Sequence, residues 1–346
     1  CKMNGYNKEV RRNVLYNLEF QRLKENLKND KCFYKNCEHK PIDSHVIQRG
    51  LLENSLAESN FVYAWTPQNV ARGISQGEET FFEKMSIGKS GIFEGFCGDK
   101  GQSHDAKLFR SIEVDVEATS INHYVFLYSY RSLIYHLWLN TGLILSKDDK
   151  ISKMLDNPVI SDLVSQVKGI PTEINSFLQI DDELPKFKAS KEIYEQYICD
   201  EGEIGEYCND FFIKVLPLDG ISIDFVTLGT RNYCDSNYPI TLGVLPQYKD
   251  KPNLFFIVAH KADEANILIE SLKGITIENL SGYCWLIQNL PIKWSTNTML
   301  SPKLYKHLES TGELSQLQNF ISSTEVFDFN DYQNFNLINV FNEYSR

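Results

Sequence analysis

The chain has no phosphate-binding loop, no dinucleotide fingerprint, no Gly-x-Ser-x-Gly elbow and no kinase signature. Their absence removes the best-marked classes of nucleotide- and ester-handling enzyme. There is no internal repeat and no low-complexity segment, which excludes a repeat array. Cysteine is sparse: eight residues in a chain of 346 do not make a dense disulfide framework. No charged start followed by an apolar run and a small-residue cleavage site is visible. A reducing, cytoplasmic setting is therefore expected, in which clustered cysteines read as metal ligands and scattered ones as buried thiols. An uninterrupted membrane-length apolar run is also missing. Residues 121–145 reach spanning length, but Arg131, His136, Asn140 and several tyrosines break them. The stretch predicts a long, largely buried helix rather than a span.

What is present suits a globular protein of two or three units. Apolar residues make up 42% and aromatic residues 12%, enough for sizeable cores, and 23% charged residues are ordinary. The formal charge of −11 is uneven. Residues 1–50 hold eleven Lys/Arg against six Asp/Glu, whereas residues 151–210 hold thirteen acids against five bases. A basic end on an acidic body fits local contact with a polyanion and argues against general coating of nucleic acid.

Along the chain, residues 6–30 carry a helical apolar stripe (Val14, Leu15, Leu18, Phe20, Leu23) and predict an N-terminal helix. Residues 32–50 predict a knuckle and a short strand holding His45 and Val46. A short helix opens at Ser103 or Asp105, and a long helix covers about 119–143. A polar, acidic helical stretch follows from 147 to about 207. Beyond Cys208 the pattern turns to strands: FFIKVLPL, ISIDFVTLGT, PITLGVLP and NLFFIVAH, separated by turn residues. Their hairpin spacing predicts an antiparallel sheet, followed by helices. The fold class expected is α+β in three parts. These are a zinc-bearing module at 1–115, a helical region at 116–207, and an α+β C-terminal domain at 208–346.

The chemistry concentrates in the first third. Cys32 and Cys37 form a Cys-x4-Cys pair, and Cys97 and His104 follow in GFCGDKGQSHDAKLF. Thiolates and imidazoles on short loops are the ligands of a tetrahedral zinc ion. His39 is a second candidate, which would release His104. Between the pairs stands Asp43-Ser44-His45, and Asp105 directly follows His104. His45 reads as a general base, a further metal ligand or a satisfied core histidine. Asp105 reads as a metal ligand or a helix N-cap.

In this grammar residues 32–110 resemble the HNH or His-Me finger (ββα-metal) nucleases that carry a structural zinc, including uncharacterised bacterial HNH-like proteins, some at phage-defence loci. The resemblance implies a zinc-stabilised ββα/treble-clef module with Cys32, Cys37, Cys97 and His104 as structural ligands. It implies His45 as general base and Asp105 on a catalytic Mg²⁺ or Mn²⁺. Four departures accompany it. Ser44 stands where the family puts a metal-binding carboxylate or imidazole, and the second ligand pair is separated by six residues instead of two. About fifty residues lie between His45 and Cys97, more than a compact ββα unit needs, and no single asparagine can be assigned to the middle position, with Asn54, Asn60 and Asn69 all available. Lys107 and Arg110, on the same short helix, are candidates for phosphate contact.

The leading expectation is a metal-dependent phosphodiesterase acting on DNA or RNA, with bacterial phage defence as the setting the resemblance implies. Its C-terminal domain would bind a protein partner or a second copy. The other expectation is a zinc-scaffolded nucleic-acid- or protein-binding protein whose HNH-like site is degenerate.

Overall fold

The computed structural model describes residues 31–66, 82–98, 103–155, 170–198, 209–219, 222–233, 236–276, 279, 284–295 and 297–322. The helix expected over 6–30 lies outside these, as do Cys1, Cys199, Cys208, Cys234 and most of the acidic run before Asp210.

In chain order, β1 (Pro41–His45) is followed by α1 (Arg49–Ser55), β2 (Phe61–Trp65) and β3 (Glu83–Ser86). Next come β4 (Ile92–Cys97) and two short helices, α2 (His104–Leu108) and α3 (Arg110–Glu113). The long helices α4 (Ile121–Leu155) and α5 (Ile170–Tyr197) follow. The last part holds β5 (Phe211–Pro217), β6 (Phe225–Arg231), β7 (Ile240–Leu245), β8 (Leu254–His260), α6 (Ile267–Lys273), α7 (Cys284–Trp294), β9 (Thr298–Leu300), α8 (Pro302–Thr311) and α9 (Glu313–Ser322). Both sheets are antiparallel, so the α+β class holds.

The small sheet is β1 against β4, with His45 opposite Ile92 and a register shift between Pro41 and Asp43. The large sheet runs β3-β2-β9-β6-β7-β8-β5. The hairpin β2–β3 thus departs from the β1–β4 ribbon and joins strands almost entirely from the end of the chain. Strands β6, β7 and β8 meander as their spacing predicts, but β5 pairs with β8 instead of β6. The burial pattern gives the reason. Along β6–β8 nearly every residue is buried, whereas β5 is mostly half-buried and ends in Pro217. Such a strand belongs at an edge.

Both faces of the large sheet are covered, which explains why NLFFIVAH reads as an unbroken apolar run. Alternate residues of β8 serve two cores. Leu254, Phe256 and Val258 join the core shared with α4, α5 and the β1–β4 module. Phe255, Ile257 and Ala259 join the core under α6, α7, α8 and α9. Helix α4 starts on Ser120, whose Oγ accepts from the backbone N–H of His123 at 3.3 Å. Its described side chains from Tyr124 to Leu139 are buried, Arg131 and His136 included. Among the described residues no helix is long and apolar enough to cross a membrane. Asn289 and Trp294 are buried in this second layer.

A buried carboxylate fastens the first module to the helical layer. Glu195 of α5 is 4% exposed. Its Oε1 accepts from the Lys35 backbone N–H at 3.2 Å and from Tyr130 Oη at 2.7 Å. Lys191 Nζ donates to Oε2 at 2.7 Å, and Tyr34 Oη donates to the Ile198 carbonyl at 3.0 Å. Removing this carboxylate leaves buried donors without a partner and a lysine without its counter-charge. Glu195→Leu is expected to cost about 3 kcal/mol, the scale of one broken buried pair, read as a lowered urea midpoint.

Two buried histidines set an acid limit. His136 accepts the Thr230 backbone N–H at Nε2 (3.3 Å), and burial depresses its pKa to about 3. His260 bonds Ser190 Oγ at 2.7 Å, and burial depresses its pKa to about 4. Below about pH 6.5 the unfolded imidazoles take up protons while the folded ones stay neutral. Stability is therefore full above that pH and declines as pH falls toward the folded values. In urea titrations between pH 7 and pH 4, His136→Asn is expected to flatten the decline by up to about 1.4 kcal/mol per pH unit relative to wild type.

Candidate metal centre and the adjoining acid–base cluster

The knuckle is shaped by its own backbone. The Cys32 N–H donates to the His39 carbonyl at 2.8 Å, and the Cys37 N–H to the Tyr34 carbonyl at 3.2 Å. Asn36 takes a positive φ of 56° between them, a conformation asparagine tolerates. Phe33 N–H then bonds the Gly95 carbonyl at 2.9 Å, laying the knuckle against β4. On the other side Ser103 accepts the Ala106 N–H at 3.2 Å and starts α2. Ser103 is therefore the N-cap. The capping role weighed for Asp105 is set aside, and its carboxylate is left to point elsewhere.

These two devices bring Cys32, Cys37, Cys97 and His104 together, with all four ligand atoms within 4.8 Å of one another. Cys37 Sγ lies 3.8 Å from Cys97 Sγ. His104 Nδ1 lies 3.3 Å from Cys97 Sγ and 3.6 Å from Cys32 Sγ. A tetrahedron with metal–sulfur bonds of about 2.3 Å and metal–nitrogen bonds of about 2.0–2.1 Å has edges of roughly 3.5–3.8 Å. The group fits a metal ion such as zinc. Burial pushes the Cys32 and Cys37 thiols up, and a divalent cation among them is what would favour the thiolates. His39 is outside the group; its part is the backbone carbonyl that closes the knuckle. The Tyr34 ring lies 4.5 Å from that of His104, centroid to centroid, and backs the ligand.

One residue beyond His104, Asp105 faces Arg131 of α4. The Arg131 guanidinium is fully buried and lies 3.9 Å over the Phe109 ring. Its Nη2 donates to Glu113 Oε1 at 2.7 Å and approaches Asp105 Oδ1 at 3.4 Å. Asp105 and Glu113 keep part of their surface in solvent, at 20% and 32% side-chain exposure. Arg131 Nε and Nη1 have no partner among the described residues. Burial works against the Arg131 charge, but Glu113 and Asp105 outweigh it and raise its pKa above the ordinary arginine value.

His45 belongs to the same cluster. Its Nε2 lies 3.1 Å from the Ile87 carbonyl. A carbonyl only accepts, so Nε2 carries the proton and Nδ1 keeps the lone pair. Burial lowers its pKa below the ordinary histidine value, helped by the Arg131 charge. The Ile87 carbonyl, Asp105 and Glu113 pull the other way. His45 is a neutral imidazole at pH 7, outside the four-ligand group. Ser44 Oγ is buried and has no partner among the described residues.

Of the two residues expected at phosphate, Lys107 is exposed beside the knuckle and Arg110 pairs with Asp115 at 2.7 Å. Glu113 was not singled out in the sequence. The signal that leads to it is Arg131, since a guanidinium in a buried helix needs carboxylates. Comparison with family models, curated proteins and solved structures finds no match to this chain.

Purified protein is expected to carry about one equivalent of zinc, read by elemental analysis. Cys32→Ser and Cys97→Ser should each lose that metal and melt at lower temperature. His39→Ala should keep it.

Proposed function

We propose that the chain is a metal-dependent nucleic-acid phosphodiesterase of the HNH-like kind, built on a structural zinc site. The observation that carries this reading is His45: a neutral imidazole oriented by a backbone carbonyl, in the field of two partly exposed carboxylates. It sits on β1, which pairs with β4 and is followed by α2, and the four-ligand group pins these parts together. That β–β–α order is the one the sequence resemblance implies, and a role in phage defence draws on the same resemblance.

In this reading Cys32, Cys37, Cys97 and His104 hold zinc as a closed site, leaving no open position for catalysis. His45 Nδ1 takes a proton from a water aimed at phosphorus, and the Ile87 carbonyl holds the ring while its charge changes. Asp105 and Glu113 supply the oxygen ligands a hard cation such as Mg²⁺ or Mn²⁺ prefers, and that cation would stabilise charge on the phosphate and the leaving oxygen. Lys107, exposed on α2 beside the knuckle, would hold a phosphate farther along the strand.

One observation favours the second reading, a non-catalytic binding protein. Arg131 already supplies a positive charge to both carboxylates, so they are not bare ligands awaiting a metal.

Plasmid nicking with Mg²⁺ or Mn²⁺ separates the two. The phosphodiesterase reading expects His45→Ala to slow cleavage by about 10²–10⁴-fold, with large losses in Asp105→Ala and Glu113→Ala. The wild-type rate should be flat above about pH 6.5 and fall below it as His45 takes a proton. Binding of oligonucleotides without cleavage under any metal would establish the second reading instead.

A further inference from the structure

The four metal ligands are not equivalent toward solvent. Cys32 and Cys97 are buried, whereas Cys37 is half-buried. Cys37 lines an open cavity of about 460 Å³, together with Tyr34, Lys35, His104 and Lys107. A small neutral oxidant reaches Cys37 first. Its Sγ stands 3.8 Å from Cys97 Sγ. Closing that gap to a disulfide of about 2.05 Å asks less than 2 Å of sulfur movement.

We propose that Cys37 and Cys97 form a peroxide-sensitive pair whose disulfide dismantles the metal-ligand group and releases helix α2. The inference is independent of the phosphodiesterase reading and rests only on the four-ligand geometry. The Cys37 thiolate attacks one oxygen of hydrogen peroxide; the S–O bond forms, the O–O bond breaks, and hydroxide departs. The Cys97 thiolate then attacks the Cys37 sulfur; the S–S bond forms and the S–O bond breaks, with a second hydroxide leaving. With two protons from solvent, the thiolates lose two electrons and the peroxide becomes two waters. Cys32 and His104 remain, half the ligand set, too few to hold the ion.

The position of the pair decides the consequence. Cys37 is on the knuckle and Cys97 ends β4, so the new bond keeps those two segments together. His104 is the ligand on α2, and it loses its anchor. Asp105 is the next residue, so oxidation unpins the helix that carries it.

The test treats zinc-loaded full-length protein with hydrogen peroxide and follows zinc with a chromogenic chelator. Cross-links are mapped by peptide mass spectrometry, and backbone exchange at α2 by deuterium uptake. The expected result is zinc release with a Cys37–Cys97 cross-link, faster exchange at residues 104–108, and recovery on adding a thiol reductant and zinc. Cys37→His keeps a fourth ligand and removes the oxidisable sulfur, so it should release zinc at least about tenfold more slowly. Equal release from Cys37→His, a cross-link through Cys32 instead, or retained zinc while other thiols oxidise would each overturn the proposal.

Discussion

Three sulfurs and one imidazole meet within a few ångströms, although Cys32 and Cys97 are 65 positions apart in the chain. Closing so long a loop costs conformational entropy that a few weak thiol contacts do not return. A metal ion bound there would return it, since ligand binding to a site absent from the unfolded chain adds to folding free energy. Much else hangs on this junction. It aligns the knuckle with β4, sets where α2 begins, and so fixes where Asp105 points. The knuckle also reaches the helical layer through Lys35 and Tyr34, which bond Glu195 and Ile198. Metal site, strand ribbon and α5 therefore form one mechanical unit.

The second constraint is a single buried cation. Arg131 sits fully buried on a helix of tyrosines and leucines, where an unpaired charge would cost several kcal/mol. Glu113 and Asp105 answer it from two short helices, and Phe109 stacks beneath it. The demand runs in both directions. The arginine needs the carboxylates in order to be buried, and they are drawn from α2 and α3 toward α4 by the arginine. A structural requirement of the core thereby places two acids in the field of His45.

Much of this was legible in the residues. The grouping of Cys32, Cys37, Cys97 and His104 followed from residue type and spacing, because residues able to share one metal ion leave a local mark in the sequence. The antiparallel strands after Cys208 were readable from their period and turns. Other features were hidden for physical reasons. The gap of about fifty residues between His45 and Cys97 looked too long for one ββα unit. It holds α1 and the β2–β3 hairpin, which pairs with β9 near the far end of the chain, and a pairing at that separation leaves no periodic trace. The edge position of β5 turned on how much of it stays exposed, a property of the finished sheet. Ser103 and Asp105 are both good caps by type, and only the backbone geometry chose between them.

The charge balance of the cluster bears on what it can bind. Two carboxylates and one guanidinium leave a single net negative charge beside a neutral imidazole, a modest attraction for a divalent ion compared with two unopposed acids. The contacts are unequal, however. Glu113 lies at hydrogen-bond distance from Nη2, whereas Asp105 stands off at 3.4 Å. Glu113 alone suffices to neutralise Arg131, so Asp105 gives up little by turning its carboxylate toward solvent. A hard cation or a phosphate-bound metal would then compete with Arg131 for Asp105 and leave Glu113 in place. The same arrangement keeps the buried arginine paired when nothing is bound. In this geometry Asp105 is the adjustable member and Glu113 the fixed one, a division of roles that follows from their distances to Arg131.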